Sequence, residues 1–380
     1  MEEIRIATFN VSMEALNYVP YRKDRQYELN GSELQQALDS NHQQIRNIAE
    51  IIQTVNPDIL LLNEFDFHDL DGKALNTFLD DYLAQGQNGQ NAIHFPYSYQ
   101  APVNTGVASG LDLDGNGKAN ELPGDGYGFG YFPGHFGMVL LSKYPIENSN
   151  IRTFQKFKWS DMPGALKPVV PSTGKDFYDD KTWNNARLSS KSHWHVPISI
   201  KGEKVNILAA HPTPPVFDGP EDRNGNRNHD EIKLWHDYIT PNAGAYIYDD
   251  NQVTGGLNED QRFVIMGDLN ASTLDGDANV KGIGSLLSHS NIQDPLPLSQ
   301  GGKLHAPDNV NAQHHTAYWG MRADYVLPSK NGFTVKGAGV FWPTDEQETF
   351  RLIKDRGASS DHRMVWVDVE ITPVKSKEAQ

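Results

Sequence analysis

The sequence predicts an α/β protein built on two β-sheets that face each other, with helices on the outside. Three observations predict it. Apolar strand-like runs outnumber helical stretches, they mostly pair with near neighbours, and several end abruptly in a polar residue. Facing sheets with helices outside would bury such runs, and the polar ends would line one rim.

Residues 4–9 alternate and read as a strand. In 41–55, Ile45, Ile48, Ile51, Ile52 and Val55 recur at helical spacing. Asn56-Pro57 stops that helix, and 58–64 is a buried strand. Residues 84–135 are rich in Gly, Asn, Asp and Tyr and read as a long functional loop. A strand follows at 137–142, then an irregular stretch at 157–185. Strands at 193–200 and 204–210 turn at Gly202, and the loop after His211 leads to a helix near 229–240. Residues 263–266 are a strand and 281–289 a helix, with late strands at 322–327, 334–341 and 363–371. No repeat and no composition break divides the chain. A single domain is expected over 1–375, with a frayed tail at 376–380.

With 380 residues, 38% of them hydrophobic, the chain can bury a large core. Thirty-three basic residues face 49 acidic ones, a net charge of −16 that repels polyanions unless metals intervene. A high-affinity nucleic-acid binder usually shows a basic face, so that class is disfavoured. The absence of cysteine excludes disulfides, thiolate metal sites and cysteine nucleophiles. No apolar run approaches the length of a membrane span. The first strand starts almost at Met1, so either the protein is cytosolic or a leader was removed; export to the periplasm or the outside is the preferred expectation.

The polar strand ends are Asn10, Glu64, His211, Asp268 with Asn270, Asp324, and Asp361 with His362. Together they offer carboxylates for a hard divalent cation, two histidines, and amides for a phosphate oxygen. That is equipment for metal-assisted hydrolysis of a phosphoester. Each also has an ordinary explanation. Asp268 and Asn270 could cap a turn, Asp361 could open one, Glu64 and Asn10 could be solvated strand ends, His211 a structural hydrogen-bonder, and Asp324 the ion-pair partner of Arg322.

Taken jointly and in order, Thr8–Asn10, Asn63–Glu64, His211, Gly267–Asn270 and Ser360–His362 resemble the endonuclease/exonuclease/phosphatase superfamily, the deoxyribonuclease-I-like fold. The resemblance runs from Ile4 to about Glu370. It implies a four-layered αββα sandwich of two mixed sheets, helices outside. It also implies that Glu64 binds a divalent metal (Mg2+ or Mn2+), with Asn10 beside it and Asp361 contributing. Asp268 would orient or deprotonate the attacking water. Asn270 and His211 would donate to phosphoryl oxygens, and His362, its ring held by Asp324, would stabilise the transition state. Where some members carry a carboxylate two residues after the first Asn, this chain has Ser12. Some members use a mid-chain Tyr, for which Tyr127, Tyr131 and His135 are the candidates here.

Other features bear on substrate and cofactors. Asp112, Asp114 and Asn116 stand two apart before Gly117, as in the first half of an EF-hand loop. The twelfth position is Pro123, so Asp125 or Glu121 would have to close a structural Ca2+ site; a flexible turn is the plain alternative. The aromatic-glycine run 127–137 reads as a pocket wall or as loop packing. Arg187, Lys191, His193 and His195 read as anion-binding residues or as an exposed strand. Asp218, Glu221, Asp222, Asp230 and Glu231 read as another cation site or as a helix start capped at Asn228.

The expected protein is a metal-dependent phosphodiesterase or phosphatase acting on small or lipid-derived organic phosphates. A secreted nuclease is the alternative. A calcium-dependent binding module is disfavoured because it would be expected to lose at least one of Glu64, Asp268, Asn270, Asp324 and His362, and a glycosidase because it would need no histidine at 211 or 362.

Overall fold

The computed structural model describes residues 3–68 and 72–374. The expected frayed tail at 376–380 lies outside the described residues. Strands in chain order are β1 (Glu3–Met13), β2 (Ile59–Phe65), β3 (Tyr97–Tyr99), β4 (Met138–Ser142), β5 (Arg152–Thr153), β6 (Val169–Val170), β7 (Lys175–Asp176), β8 (His193–Ile200), β9 (Glu203–Ala210), β10 (Phe263–Asp268), β11 (Asp324–Pro328), β12 (Phe333–Val340) and β13 (Val365–Ile371). Helices are α1 (Glu33–Asp39), α2 (Gln43–Val55), α3 (Lys73–Thr77), α4 (Asp180–Trp183), α5 (Arg223–Ile239), α6 (Val280–Leu287) and α7 (Gln300–His305).

One sheet runs β12-β13-β1-β2-β4-β3 and the other β11-β10-β9-β8-β5, while β6 and β7 form a separate hairpin. Both large sheets are mixed, because β1/β2 and β9/β10 are parallel and their other pairs antiparallel. A single apolar cluster joins Ile6, Leu60, Leu140 and Val367 of the first sheet to Val196, Ile207, Val264 and Val326 of the second. The isoleucines of α2 belong to the same cluster and cover the outer face of the first sheet. A second cluster packs Ile232 and Trp235 of α5 and Ile283 of α6 against Leu208, Ile265 and Leu327, on the outer face of the second sheet. Those are the four layers of an αββα sandwich.

Several expectations change in detail. β1 does not stop at residue 9; it continues to Met13 through a bulge between Asn10 and Met13, with Ser12 at φ +49°. The 84–135 segment contains β3, and 157–185 contains β6, β7 and α4. Helix α5 begins at Arg223 rather than near 229. Asn228, expected as its cap, is buried within it and donates to the carbonyls of Thr213 (2.9 Å) and Leu269 (3.0 Å). That amide ties together the chains leaving β9 and β10.

Candidate active site

Strand direction gathers the polar ends. β1 and β2 are parallel, so Asn10 pairs with Asn63 at the same end as Glu64. β13 runs antiparallel to β1, so Asp361 and His362, just before it, lie there too. In the other sheet β9 and β10 are parallel, which puts His211 near Asp268. β11 runs back against β10, and its first residue, Asp324, pairs with Asp268.

Asp268 is the hub. Its Oδ2 accepts from Asn10 Nδ2 (3.0 Å) and faces His211 Nε2 at 3.3 Å and His362 Nε2 at 3.5 Å. Its Oδ1 accepts from the Asn270 N–H (3.0 Å), and its own N–H donates to Asn63 Oδ1 (3.1 Å). Asn10 and Asn63 belong to one sheet and Asp268 to the other, so the site spans the gap between them. Burial alone would raise the Asp268 pKa, but His362, His211 and Asn10 hold it well below the usual carboxylate range.

His362 lies between two carboxylates. Asp324 Oδ2 is 2.9 Å from its Nδ1 and accepts from Thr316 Oγ1 at 2.6 Å. The Thr316 hydroxyl already accepts the N–H groups of Ala323 and Asp324, so its proton is free for the carboxylate. Burial opposes a charge on His362; Asp324 and Asp268 override it and raise its pKa to about 10. Burial lifts Asp324 to about 6. Asp268, Asp324 and His362 bring ligand-type atoms within 4.8 Å of one another, a spacing that the histidine proton already bridges. Trp319, half exposed, stands edge-on to the His362 ring at 4.9 Å and 84°.

Across from this triad lies a second group of oxygens. Glu64 sits at φ +57°, a conformation costing on the order of 1–3 kcal/mol that turns the strand end. Burial, Asp361 and Glu14 raise its pKa to about 7, and Asn10 is in hydrogen-bonding reach. Asn10 Oδ1 accepts the Ser12 N–H (3.2 Å), and Ser12 Oγ lies 3.2 Å from Asp361 Oδ1. Asp361 pairs with the exposed Arg356 at 3.5 Å, and its charge also acts on His362 and Arg363. Glu14, which the sequence analysis did not single out, is buried, and burial pushes it to about 7. An oxygen donor set in which Asp361 and Glu14 raise Glu64 is of the kind a hard divalent cation takes, and Glu64 and Asp361 are the residues that could hold one.

The remaining candidates fall into three groups. His211 is buried, with Nδ1 unpartnered, and burial and Lys191 lower its pKa to about 4. Asn270 donates one amide hydrogen to Pro212 O (3.1 Å), leaving the other. Lys191 is 6% exposed; its ammonium has no hydrogen-bond or ion-pair partner among the described residues and feels Glu231, Glu64 and Asp268. Burial lowers its pKa.

Arg187, His135, His193 and His195 do not line an open anion site. Arg187 stacks 3.9 Å over Tyr127 and donates to Asn104 Oδ1 (2.7 Å). His135 is fully buried against Glu14 (2.8 Å). His193 bonds Ser189 Oγ and the Glu231 carbonyl, and His195 bonds Tyr238 Oη and Asn206 Oδ1, so the segment is interior and not a solvated strand. Among the described residues the acidic side chains of 218–231 form no metal-type cluster. Asp230 accepts from Trp159 Nε1 and Leu166 N, while Glu231 accepts from Ser190 N and Thr213 N.

In the other acidic loop, Asp112, Asp114 and Asp125 bring oxygens within 4.8 Å of one another. Asn116 donates its N–H to Asp112 and Asp114. Asp125 accepts from Leu113 N and Glu121 N, whereas Glu121 reaches Lys118 instead.

Two sheets meet at a rim of carboxylates and histidines, with donors aimed at one carboxylate, and this rim is the candidate site. The chain belongs to the Endonuclease/Exonuclease/phosphatase family, whose sequence model matches residues 7–362. An endonuclease/exonuclease/phosphatase from Beutenbergia cavernae shares the fold at TM-score 0.52 and 16% identity, covering 98% of this chain and 72% of that one. The human Nocturnin catalytic domain, solved with a bound sulfate anion, aligns at TM-score 0.48 and 14% identity over 97% of this chain and 95% of that one. Staphylococcus aureus beta toxin with bound magnesium ions aligns at 0.45 and 13% over 96% and 99%. No curated protein matches this sequence.

Proposed function

We propose that the protein hydrolyses phosphoesters of small or lipid-derived organic phosphates with the help of Mg2+ or Mn2+. The observation that carries this reading is Asp268. One ionised carboxylate takes donors from Asn10, His211 and Asn270 and faces a charged His362, with Glu64 and Asp361 at the same end of the sheets.

Glu64 and Asp361 would hold the cation, which when bound polarises a phosphoryl oxygen and offsets its charge. Asp268, kept ionised and therefore a weak base, orients the attacking water more than it deprotonates it. His362, kept cationic by Asp324, meets the charge that grows on the phosphoryl oxygens. Lys191 meets a second oxygen; a buried, unpaired ammonium is costly and is relieved by an anion. The second amide hydrogen of Asn270 is available to the same group.

Two buried cations, His362 and Lys191, in a chain of net charge −16 favour a compact phosphate over a polyanion. We further propose that Asp112, Asp114 and Asp125, with Asn116, hold Ca2+, and that the protein works outside the cytoplasm, where calcium is abundant.

The test is an activity panel on chelator-stripped protein. It compares bis-p-nitrophenyl phosphate, p-nitrophenyl phosphate and plasmid DNA, restoring Mg2+, Mn2+ and Ca2+ singly. Metal-restored cleavage of the small esters with DNA intact is expected. Much more efficient DNA degradation would replace this reading with the nuclease.

A further inference from the structure

The aromatic-glycine run after Tyr127 closes on β1, and what it delivers there is an imidazole. His135 is clamped between Phe132 (ring centroids 4.8 Å apart, 18° between planes) and Phe136 (3.8 Å, 16°). The Tyr131 N–H donates to its Nδ1 (3.3 Å), so its proton is on Nε2, and that proton goes to Glu14 Oε2 (2.8 Å). The same oxygen accepts the Leu16 N–H (2.8 Å), while Oε1 takes no hydrogen bond among the described residues.

Glu14 is 2% exposed. It lies two residues beyond Ser12, past the β1 bulge, close enough for its charge to act on Glu64 and to feel Asp361. A buried carboxylate beside two others, backed by an uncharged imidazole and countered by the exposed Arg356, is costly and is relieved further when a divalent cation joins them. Glu14, Glu64 and Asp361 do not form a cluster within 4.8 Å among the described residues, so the three do not all ligate one ion directly. Magnesium-type cations keep several of their waters, and outer carboxylates hold those waters.

We propose that Glu14, fixed by His135, is a positioning residue of the metal site that anchors a metal-bound water, supplying from beyond the bulge the carboxylate that Ser12 does not. This rests on the metal-dependent reading above. His135 thereby gains a place at the site without touching substrate.

The test reads metal binding, not turnover. Mn2+ titration of chelator-stripped protein, followed by electron paramagnetic resonance, defines the active-site component as the one lost in Glu64→Gln. Glu14→Gln keeps both acceptor bonds of Oε2 and removes only the charge. It is expected to weaken that component about tenfold, with the melting temperature in chelator no lower than wild type. His135→Phe keeps the ring stack and removes the donor, and is expected to give a smaller loss. Ser12→Asp added to Glu14→Gln is expected to restore affinity, which a purely structural role would not do. Wild-type affinity in both single variants overturns the proposal and leaves the metal-dependent reading standing. No Glu64-dependent component in the wild type overturns both.

Discussion

Asp324→Asn removes one charge from the site and leaves its shape. The amide oxygen can still take the Thr316 hydroxyl and face His362, but the ion pair at 2.9 Å is gone. In the wild type the two carboxylates raise His362 against burial to about 10, so about 99% of it is charged at pH 8. With Asp268 as the main remaining counter-charge, burial pulls the imidazole back. At its ordinary value of about 6.5, only about 3% would be charged at pH 8. Losing a preorganised donor to a developing oxyanion costs about 3–4 kcal/mol, or 10²–10³ in kcat. Steady-state cleavage of bis-p-nitrophenyl phosphate at saturating metal from pH 5.5 to 9 measures it. The variant should fall about 10²–10³ below wild type at pH 8 and regain part of the gap toward pH 6. An imidazole NMR titration of chelated protein should show His362 titrating near neutrality in the variant and far above it in the wild type. The sign for stability follows. A histidine raised on folding stabilises fully below about 6.5 and ceases to as pH rises through about 10, so the variant should lose less stability across that window. The reasoning fails if the variant cleaves within tenfold of wild type at pH 8, or if His362 still titrates near 10.

Other perturbations give distinct signatures. Lys191→Met should cost about 10–100-fold in kcat/KM, the worth of a charged hydrogen bond, yet raise the melting temperature by removing an unpaired buried charge; a lower melting temperature would mean that the ammonium has a structural role. His193 and His195 are lowered by burial to about 4, so their contribution is intact above pH 6.5 and drains away as pH falls toward 4, about 2 kcal/mol each by pH 5. Equal urea midpoints at pH 7.5 and pH 5 would contradict this. Calcium at a hundredfold excess over its Kd should stabilise the wild type by about 2.7 kcal/mol, and Asp112→Asn should abolish the effect; identical melting in calcium and chelator would remove the 112–125 site.

Much of this architecture is legible in the chain because its strands are apolar runs that stop at polar residues. The isoleucine stripe of α2 and the runs of β2, β9 and β10 needed no tertiary information, and strand direction then gathered Asn10, Glu64, His211, Asp268, Asp324 and His362. Glu14 was hidden because the bulge at Ser12 breaks the alternation and carries β1 past its apparent end. His193 and His195 read as exposed because the groups that satisfy them lie far along the chain: Glu231 and Tyr238 on α5, Asn206 on β9. Asn228 read as a cap for the same reason, since its carbonyl partners are 15 and 41 residues away. Short elements such as α1 and α3 lack the length for a periodic signature.

The Asn228 tie has a consequence for how such a protein can diversify. By gripping the backbone at Thr213 and at Leu269, it ends the tightly specified part of both connections a residue or two beyond the reacting groups. From there to the start of α5, the segment 214–222 can lengthen, shorten or change composition while His211 and Asp268 stay in register. Phe217, 87% exposed, lies in that segment between Val216 and Asp218, which Asn224 of α5 holds. Libraries that vary the length of that segment should therefore retain folded members in which His211 and Asp268 keep their register.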